Sequence, residues 1–483
     1  MSFLGIDLGT SGLRALLVDG GGRPIGSTER HYPVSHPHSG WSEQDPADWI
    51  AALDAAVAEL RDRHPEFAAL RAIGVAGHMH GATLLDGDDR VIRPCILWND
   101  TRSHAQAAAL DATPGVRDLL GNIVFPGFTA PKLEWVREHE PENHARVARV
   151  LLPAAFLNLY LTGDHVSDMS DAAGTSWLDT GARDWSDALL AAGHMRRDQM
   201  PRLVEGSAPA GQLRSGLARA WGLSQPVVVA GGAGDNAAAA CGIGAMREGQ
   251  GFVSLGTSGV LLAARDGYHP APETALHTFC HAVPGTWYQM GVMLSATDSL
   301  NWLAQITGAR PADLTAGLGD DLLAPGPVRF LPYLSGERTP HNDAVIRGAF
   351  TGLGSGTTRD DMVRAVLEGV AFGLRDSHGA LRETGARLDR MMAIGGGARS
   401  RYWLRVIATT LDVTLTLPAD GEFGAALGAA RLGMVAAGAG SVEDVMTAPD
   451  VVEEIAPDAA LRERFEAGYQ AFRAAYPAVR GIQ

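Results

Sequence analysis

The pentapeptide Leu-Gly-Thr-Ser-Gly occurs twice in this chain, at residues 8–12 and 255–259, about half the chain length apart. A turn of Gly, Thr and Ser offers closely spaced backbone N–H and hydroxyl donors, the equipment for holding a polyphosphate. Each copy lies between apolar, β-prone runs, so that FLGIDLGTSGLRALLVD aligns with GQGFVSLGTSGVLLAARD as strand, turn, strand. One difference matters chemically: Asp7, an acceptor suited to Mg²⁺ or its bound water, stands where the second copy has the neutral Ser254. One turn suits a metal, and both suit phosphate.

Asp235, in GGAGDNAAAACG, sits where a short strand gives way to a small-residue helix, the usual place for ligands in open α/β sheets. It reads either as a general base or as a helix N-cap. The helix N-terminus is expected to lower its pKa and make it a weak base. That is tolerable for phosphoryl transfer, where positioning does most of the work. His78 and His80, flanking Met79 in GHMHG, read either as half of a transition-metal site or as part of a sugar pocket, with His80 hydrogen-bonding a polyol and Met79 giving apolar contact. Gly395, Gly396 and Gly397 follow a predicted strand and precede a helix, a place where backbone approaches something flat or anionic. In SGERTPH, Arg338 reads as a phosphate contact or as one half of a structural pair with Glu337.

These residues need elements to carry them. DPADWIAALDAAVAELRDR predicts an amphipathic helix with Asp45 at its cap and Pro46 at its first position. The segments AIGVAG and PVVVAGG predict buried strands, and MMAIGG, VTLTL and GAALGAARLGMVAAG repeat the strand and helix order in the second half. The stretch 103–200 reads as a mostly helical inserted lobe. The junction falls near 247–251, giving a first lobe over 1–246, a second over 247–440 and a C-terminal helical extension over 441–483.

Composition narrows the classes. With 46% hydrophobic and 20% charged residues, the chain is an ordinary globular protein. A formal charge of −15 argues against nucleic-acid or anionic-membrane partners, which rely on clustered cations. Lys132 is the only lysine, so the lysine-bearing P-loop is absent. Cys95, Cys241 and Cys280 are scattered and odd in number, and the chain opens directly into a strand, so buried thiols and a cytoplasmic location are expected.

With Asp7-Leu-Gly-Thr, a central Gly-Asp, a second Gly-Thr turn and a late Gly-Gly-Gly-Ala in this order, the chain resembles the FGGY family of carbohydrate kinases over nearly its whole length. GFTAPKLEWVREH and GAFTGLGSGTTRDDMVRAVLEGVAF look like that family's signatures, and MHGATLLD, ILWNDTRS and YLSGERTPHND are most similar to its xylulokinase branch. The resemblance implies an α/β fold of two actin-like, ribonuclease-H-type lobes with a central cleft for ATP, Mg²⁺ and a sugar, and it suggests a homodimer. It assigns Met79, His80 and Asn236 to the sugar and Asp235 to its terminal hydroxyl. Thr10, Ser11, Arg14, Gly256 and Thr257 then meet phosphate, Gly395, Gly396 and Gly397 meet adenosine, and Asp7 organises the metal. The reaction implied is phosphorylation of D-xylulose by ATP to D-xylulose 5-phosphate. A kinase for ribulose or an alditol, or an actin-like ATPase that acts on no sugar, are the alternatives. Two positions depart from the xylulokinase pattern: His78 replaces the usual glutamine, and Thr101 the usual glycine.

Overall fold

Each repeated turn closes a hairpin, and each hairpin is the centre of a sheet. In the computed structural model, which describes residues 1–419 and 424–483, Ser2–Leu8 pairs antiparallel with Gly12–Asp19, and that strand with Pro24–His31. On its other side Ser2–Leu8 runs parallel to Leu70–Gly77, which is followed by the parallel Val228–Ala230 and the antiparallel Pro209–Gln212. The second sheet repeats this pairing sense around Gly251–Leu255. Gly259–Arg265 and Trp287–Met293 are antiparallel to one side, and the parallel Arg390–Ile394 and Thr414–Pro418 lie on the other, with antiparallel Val451–Ile455 at the edge. The duplication read from ten residues therefore extends to six of the seven strands of each sheet. The 441–483 segment is more than helical: Val451–Ile455 closes one side of the second sheet before the helix Arg462–Arg480 begins.

Crossover helices follow the caps in the sequence. Pro46–Arg63 starts at Asp45, whose carboxylate accepts the Ala47 N–H at 2.9 Å, and buries Trp49, Leu53, Val57 and Leu60. Its counterpart, Arg359–Glu383, is opened by a reciprocal box in which Thr358 accepts the Asp361 N–H and Asp361 accepts the Thr358 N–H.

Two helices of small residues join the lobes. Asp235–Ile243 lies against Gly424–Ala436, whose Ala426 and Ala430 pack with Phe3, Leu16 and Ala72 of the first sheet. A Cβ at Gly428 would lie 1.8 Å from the Ala238 carbonyl oxygen, so glycine is what lets the two backbones touch. The inserted lobe meets the second sheet through polar pairs: Asn122 exchanges two hydrogen bonds of 2.8 Å with the Thr278 backbone, and Trp287 Nε1 donates to Thr180 O at 2.8 Å. Cys95, Cys241 and Cys280 are free and buried. Among the described residues, no helix is long and apolar enough to cross a membrane.

Candidate active site in the cleft between the lobes

The first turn is pinned from behind. The Tyr32 hydroxyl donates to Gly9 O at 2.5 Å, and Gln44 Nε2 to Thr10 O at 2.6 Å. A trans peptide sets each carbonyl antiparallel to the following N–H, so the amides of Thr10 and Ser11 face the opposite side of the turn. The second turn is held in the same manner by the start of helix Thr297–Thr307. Gly256 O accepts the Thr297 N–H at 3.0 Å and hydroxyl at 2.7 Å, and Thr257 O accepts the Ala296 N–H at 2.8 Å. The amides of Thr257 and Ser258 therefore point away from that helix. Gly395 follows Ile394, the strand partner of Ser254, and brings the glycine run beside this turn. Its φ of 89° and the 2.8 Å that would separate a Cβ from Leu255 C both require glycine.

Asp7 and Asp235 flank one strand end. Asp7 is in register with Ala76, and Gly234, on the opposite side of the same strand, with Gly77, which puts the two main chains about 10 Å apart. Burial, and next the charge of Asp235, push the Asp7 carboxyl up to about 7, against the pull of Arg14. Arg14 is opposite Asp7 in the hairpin and 3.4 Å from Glu29. Part of the rise at Asp7 comes from a neighbouring carboxylate, a repulsion that a hard cation such as Mg²⁺ would relieve, with Asp7 the residue that would hold it.

Asp235 is the first residue of its helix and does not cap it; Gly234 holds the cap position. Its Oδ1 accepts the Asn236 N–H at 2.7 Å and Asn236 Nδ2 at 2.8 Å. Burial outweighs these bonds and lifts its pKa to about 6, the reverse of the lowering expected from the helix terminus. The carboxyl is thus a better base than the sequence implied.

The two histidines diverge. His80 has a φ of 69° and turns its ring onto Phe128, with centroids 4.6 Å apart, whereas His78 is buried edge-on against Trp49. Among the described residues no group of three or more His, Cys, Asp and Glu is placed to hold a metal ion, so the histidines are not half of a metal site. Burial lowers both imidazoles to about 3, so both are neutral. Since the Gly174 carbonyl can only accept, His80 Nδ1 carries the proton and donates to it at 2.7 Å, leaving Nε2 as an acceptor toward the cleft. Met79 is buried below, its sulfur 3.7 Å from the Tyr288 hydroxyl and its side chain against Gly234.

His80 opens onto a cavity of about 370 Å³ lined by Trp98, Asn99 and Phe128 from the first half and Leu294, Glu337 and Arg338 from the second. Trp98 was not singled out in the sequence. Its indole N–H donates to Thr10 Oγ1 at 2.9 Å and ties the cavity wall to the first turn. Arg338 makes no ion pair with Glu337: its guanidinium lies 4.4 Å from the Phe125 ring centroid and its Nη1 is 3.3 Å from His277 Nε2. It stands at the His80 end of the cleft. Thr101 binds Gly40 O through its N–H at 2.9 Å and its hydroxyl at 3.2 Å. A second hollow, of about 420 Å³, opens among the helices Arg359–Glu383, Arg401–Leu411 and Arg462–Arg480 and contains none of these residues.

Comparison with known proteins bears on the family and the fold. The N-terminal domain of the FGGY family of carbohydrate kinases matches residues 2–242, and that family's C-terminal domain matches 251–437. The xylulose kinase of Escherichia coli (strain K12) is 46% identical over 98% of each chain. A solved structure titled a "xyloylose kinase" from Brucella ovis is 56% identical with a TM-score of 0.99 over the whole of both chains. The xylulose kinase structure from Rhodospirillum rubrum is 30% identical with a TM-score of 0.92, covering 100% of this chain and 99% of its own.

Proposed function

We propose that this chain, which belongs to the FGGY family of carbohydrate kinases, transfers the terminal phosphoryl group of ATP to D-xylulose, giving D-xylulose 5-phosphate and ADP. The observation that supports the reaction is the placement of Asp7 and Asp235 on either side of the end of strand Leu70–Gly77, which runs on into Met79 and His80. The choice of sugar is supported by the full-length likeness to xylulose kinases.

In this reading the first lobe, 1–246, holds the sugar, the second, 247–440, holds the nucleotide, and 441–483 completes the second sheet. The sugar lies over Met79, with one hydroxyl donating to His80 Nε2 and its terminal hydroxyl directed at Asp235. Asp235 takes that proton as the new O–P bond forms, and Asn236 keeps the carboxylate oriented through its two hydrogen bonds. Amides of the turns at Thr10, Ser11, Gly256 and Thr257 and the Arg14 guanidinium hold the phosphates, while Gly395, Gly396 and Gly397 accept the adenosine face. Asp7 would hold Mg²⁺, which when bound neutralises charge on the transferring group.

A coupled ADP-release assay over a panel of ketopentoses and polyols tests the proposal. D-xylulose is expected to give the highest kcat/KM. A preference for ribulose or an alditol would overturn the substrate, and turnover indifferent to any sugar would overturn the kinase reading of the cleft.

A further inference from the structure

We propose that Lys132 is a positioning residue for the sugar: it fixes the main chain at His80 so that the imidazole presents Nε2 to the cleft. The inference rests on the reading of His80 as a sugar contact.

Lys132 is the only lysine of the chain, and it is fully buried in helix Thr129–His139. Among the described residues no carboxylate forms an ion pair with it, and burial pushes its amine down to about 7, so it acts chiefly as a hydrogen-bond donor. Its Nζ instead donates to two main-chain carbonyls, His80 O at 2.8 Å and Gly127 O at 2.7 Å. Both residues line the cavity. The Thr129 hydroxyl adds a third bond, to His80 O at 3.1 Å.

The carbonyl so held belongs to a residue in the left-handed region, which a non-glycine residue occupies only when its surroundings enforce it. Two donors from one helix fix the His80 peptide, while Gly174 O and the Phe128 ring fix the imidazole. A methionine or leucine would fill the same volume without the cost of a buried charge. What the amino group adds is a simultaneous hold on two main-chain carbonyls of the cavity lining, at His80 and Gly127. The consequence is specific: His80 can only accept from the sugar, so it selects a hydroxyl and not a ketone oxygen at that point.

The test uses the full-length protein with the variants Lys132→Met, Thr129→Val, Thr129→Ser and His80→Ala, and measures KM for D-xylulose, KM for ATP and kcat for each. Lys132→Met is expected to raise the sugar KM about three- to tenfold, the size of a lost hydrogen bond, with the KM for ATP unchanged. Thr129→Val should move the same way by less, and Thr129→Ser, which keeps the hydroxyl, should restore the sugar KM. With one lysine in the chain, protein grown on [ε-¹³C]lysine gives a single side-chain signal, expected to shift with D-xylulose and not with ATP alone. If His80→Ala raises the sugar KM and Lys132→Met and Thr129→Val do not, the positioning role is refuted and the site stands. If His80→Ala leaves the sugar KM unchanged, the site reading itself fails. Should Lys132→Met give no folded protein, an unmoved lysine signal in the wild type refutes the proposal.

Discussion

Replacing Asp235 by asparagine separates turnover from stability in opposite directions. The asparagine carbonyl can keep both hydrogen bonds from Asn236, so the local backbone has no reason to move. What is lost is the proton acceptor, which costs about 10²- to 10⁴-fold in rate. What is gained is relief from a buried charge. The carboxyl rises from 3.8 to about 6, and at about 1.4 kcal/mol per unit this sets a ceiling of about 3 kcal/mol, which screening by cleft water reduces to about 1–2 kcal/mol. The sign follows from the raised folded-state value. Above pH 6 the wild type bears the full penalty, between 6 and 3.8 the penalty fades, and below 3.8 both states are protonated and the variant has no advantage. Urea unfolding at neutral and acid pH, beside coupled ADP release, reads both effects. Turnover close to wild type would remove Asp235 from the role of base. A variant less stable than wild type at neutral pH would show that burial does not set this group's titration.

Other perturbations test neighbouring links. Asp7→Asn should abolish Mg²⁺-dependent turnover both with sugar and in idle ATP hydrolysis, and an unchanged Mg²⁺ titration curve would move the metal elsewhere. At saturating Mg²⁺, kcat/KM for D-xylulose should fall about tenfold per unit as pH drops below the Asp235 value of about 6; a profile flat to one unit below that value would contradict the assignment. Gly428→Ala places a Cβ 1.8 Å from Ala238 O, and forcing the two helices apart should cost about 1–3 kcal/mol in urea unfolding. Unaltered stability would mean the helices do not rely on backbone contact.

The parts legible in the sequence are those carried by local pattern. The twin turns, the Asp45 and Pro46 helix start and the strand MMAIGG are all readable from neighbours in the chain, and the structure keeps them. The rest depends on contacts between distant segments. Val451–Ile455 is mostly exposed along its length, so it carries no apolar alternation, and only the edge of Thr414–Pro418 makes it a strand. Arg338 pairs with a ring and an imidazole far away in sequence, and nothing near it indicates that Glu337 is not its partner. The error over Asp235 has the same origin: the helix terminus is visible in the sequence, the burial that overrides it is not.

The divergence of the duplicated halves follows from charge. Both hairpins hold their turn carbonyls from behind, so the amide faces are equivalent. The strand residue before the Leu-Gly-Thr turn is the acidic Asp7 in the first hairpin and the neutral Ser254 in the second. Two carboxylates beside an anion site repel the phosphates they must process, and the chain carries −15 overall. In the proposed reading a cation would relieve that repulsion and so give a bound nucleotide a direction. The phosphate to be transferred would, in that reading, lie at the first turn, where Asp7 would hold the metal beside Asp235 and the sugar, and the second turn would hold the remaining phosphates toward the adenosine. A second acidic turn would remove that polarity, which is why Ser254→Asp, at the position equivalent to Asp7, should weaken ATP binding without affecting the sugar KM. Equal loss for both substrates would place the second turn nearer the sugar than this account allows.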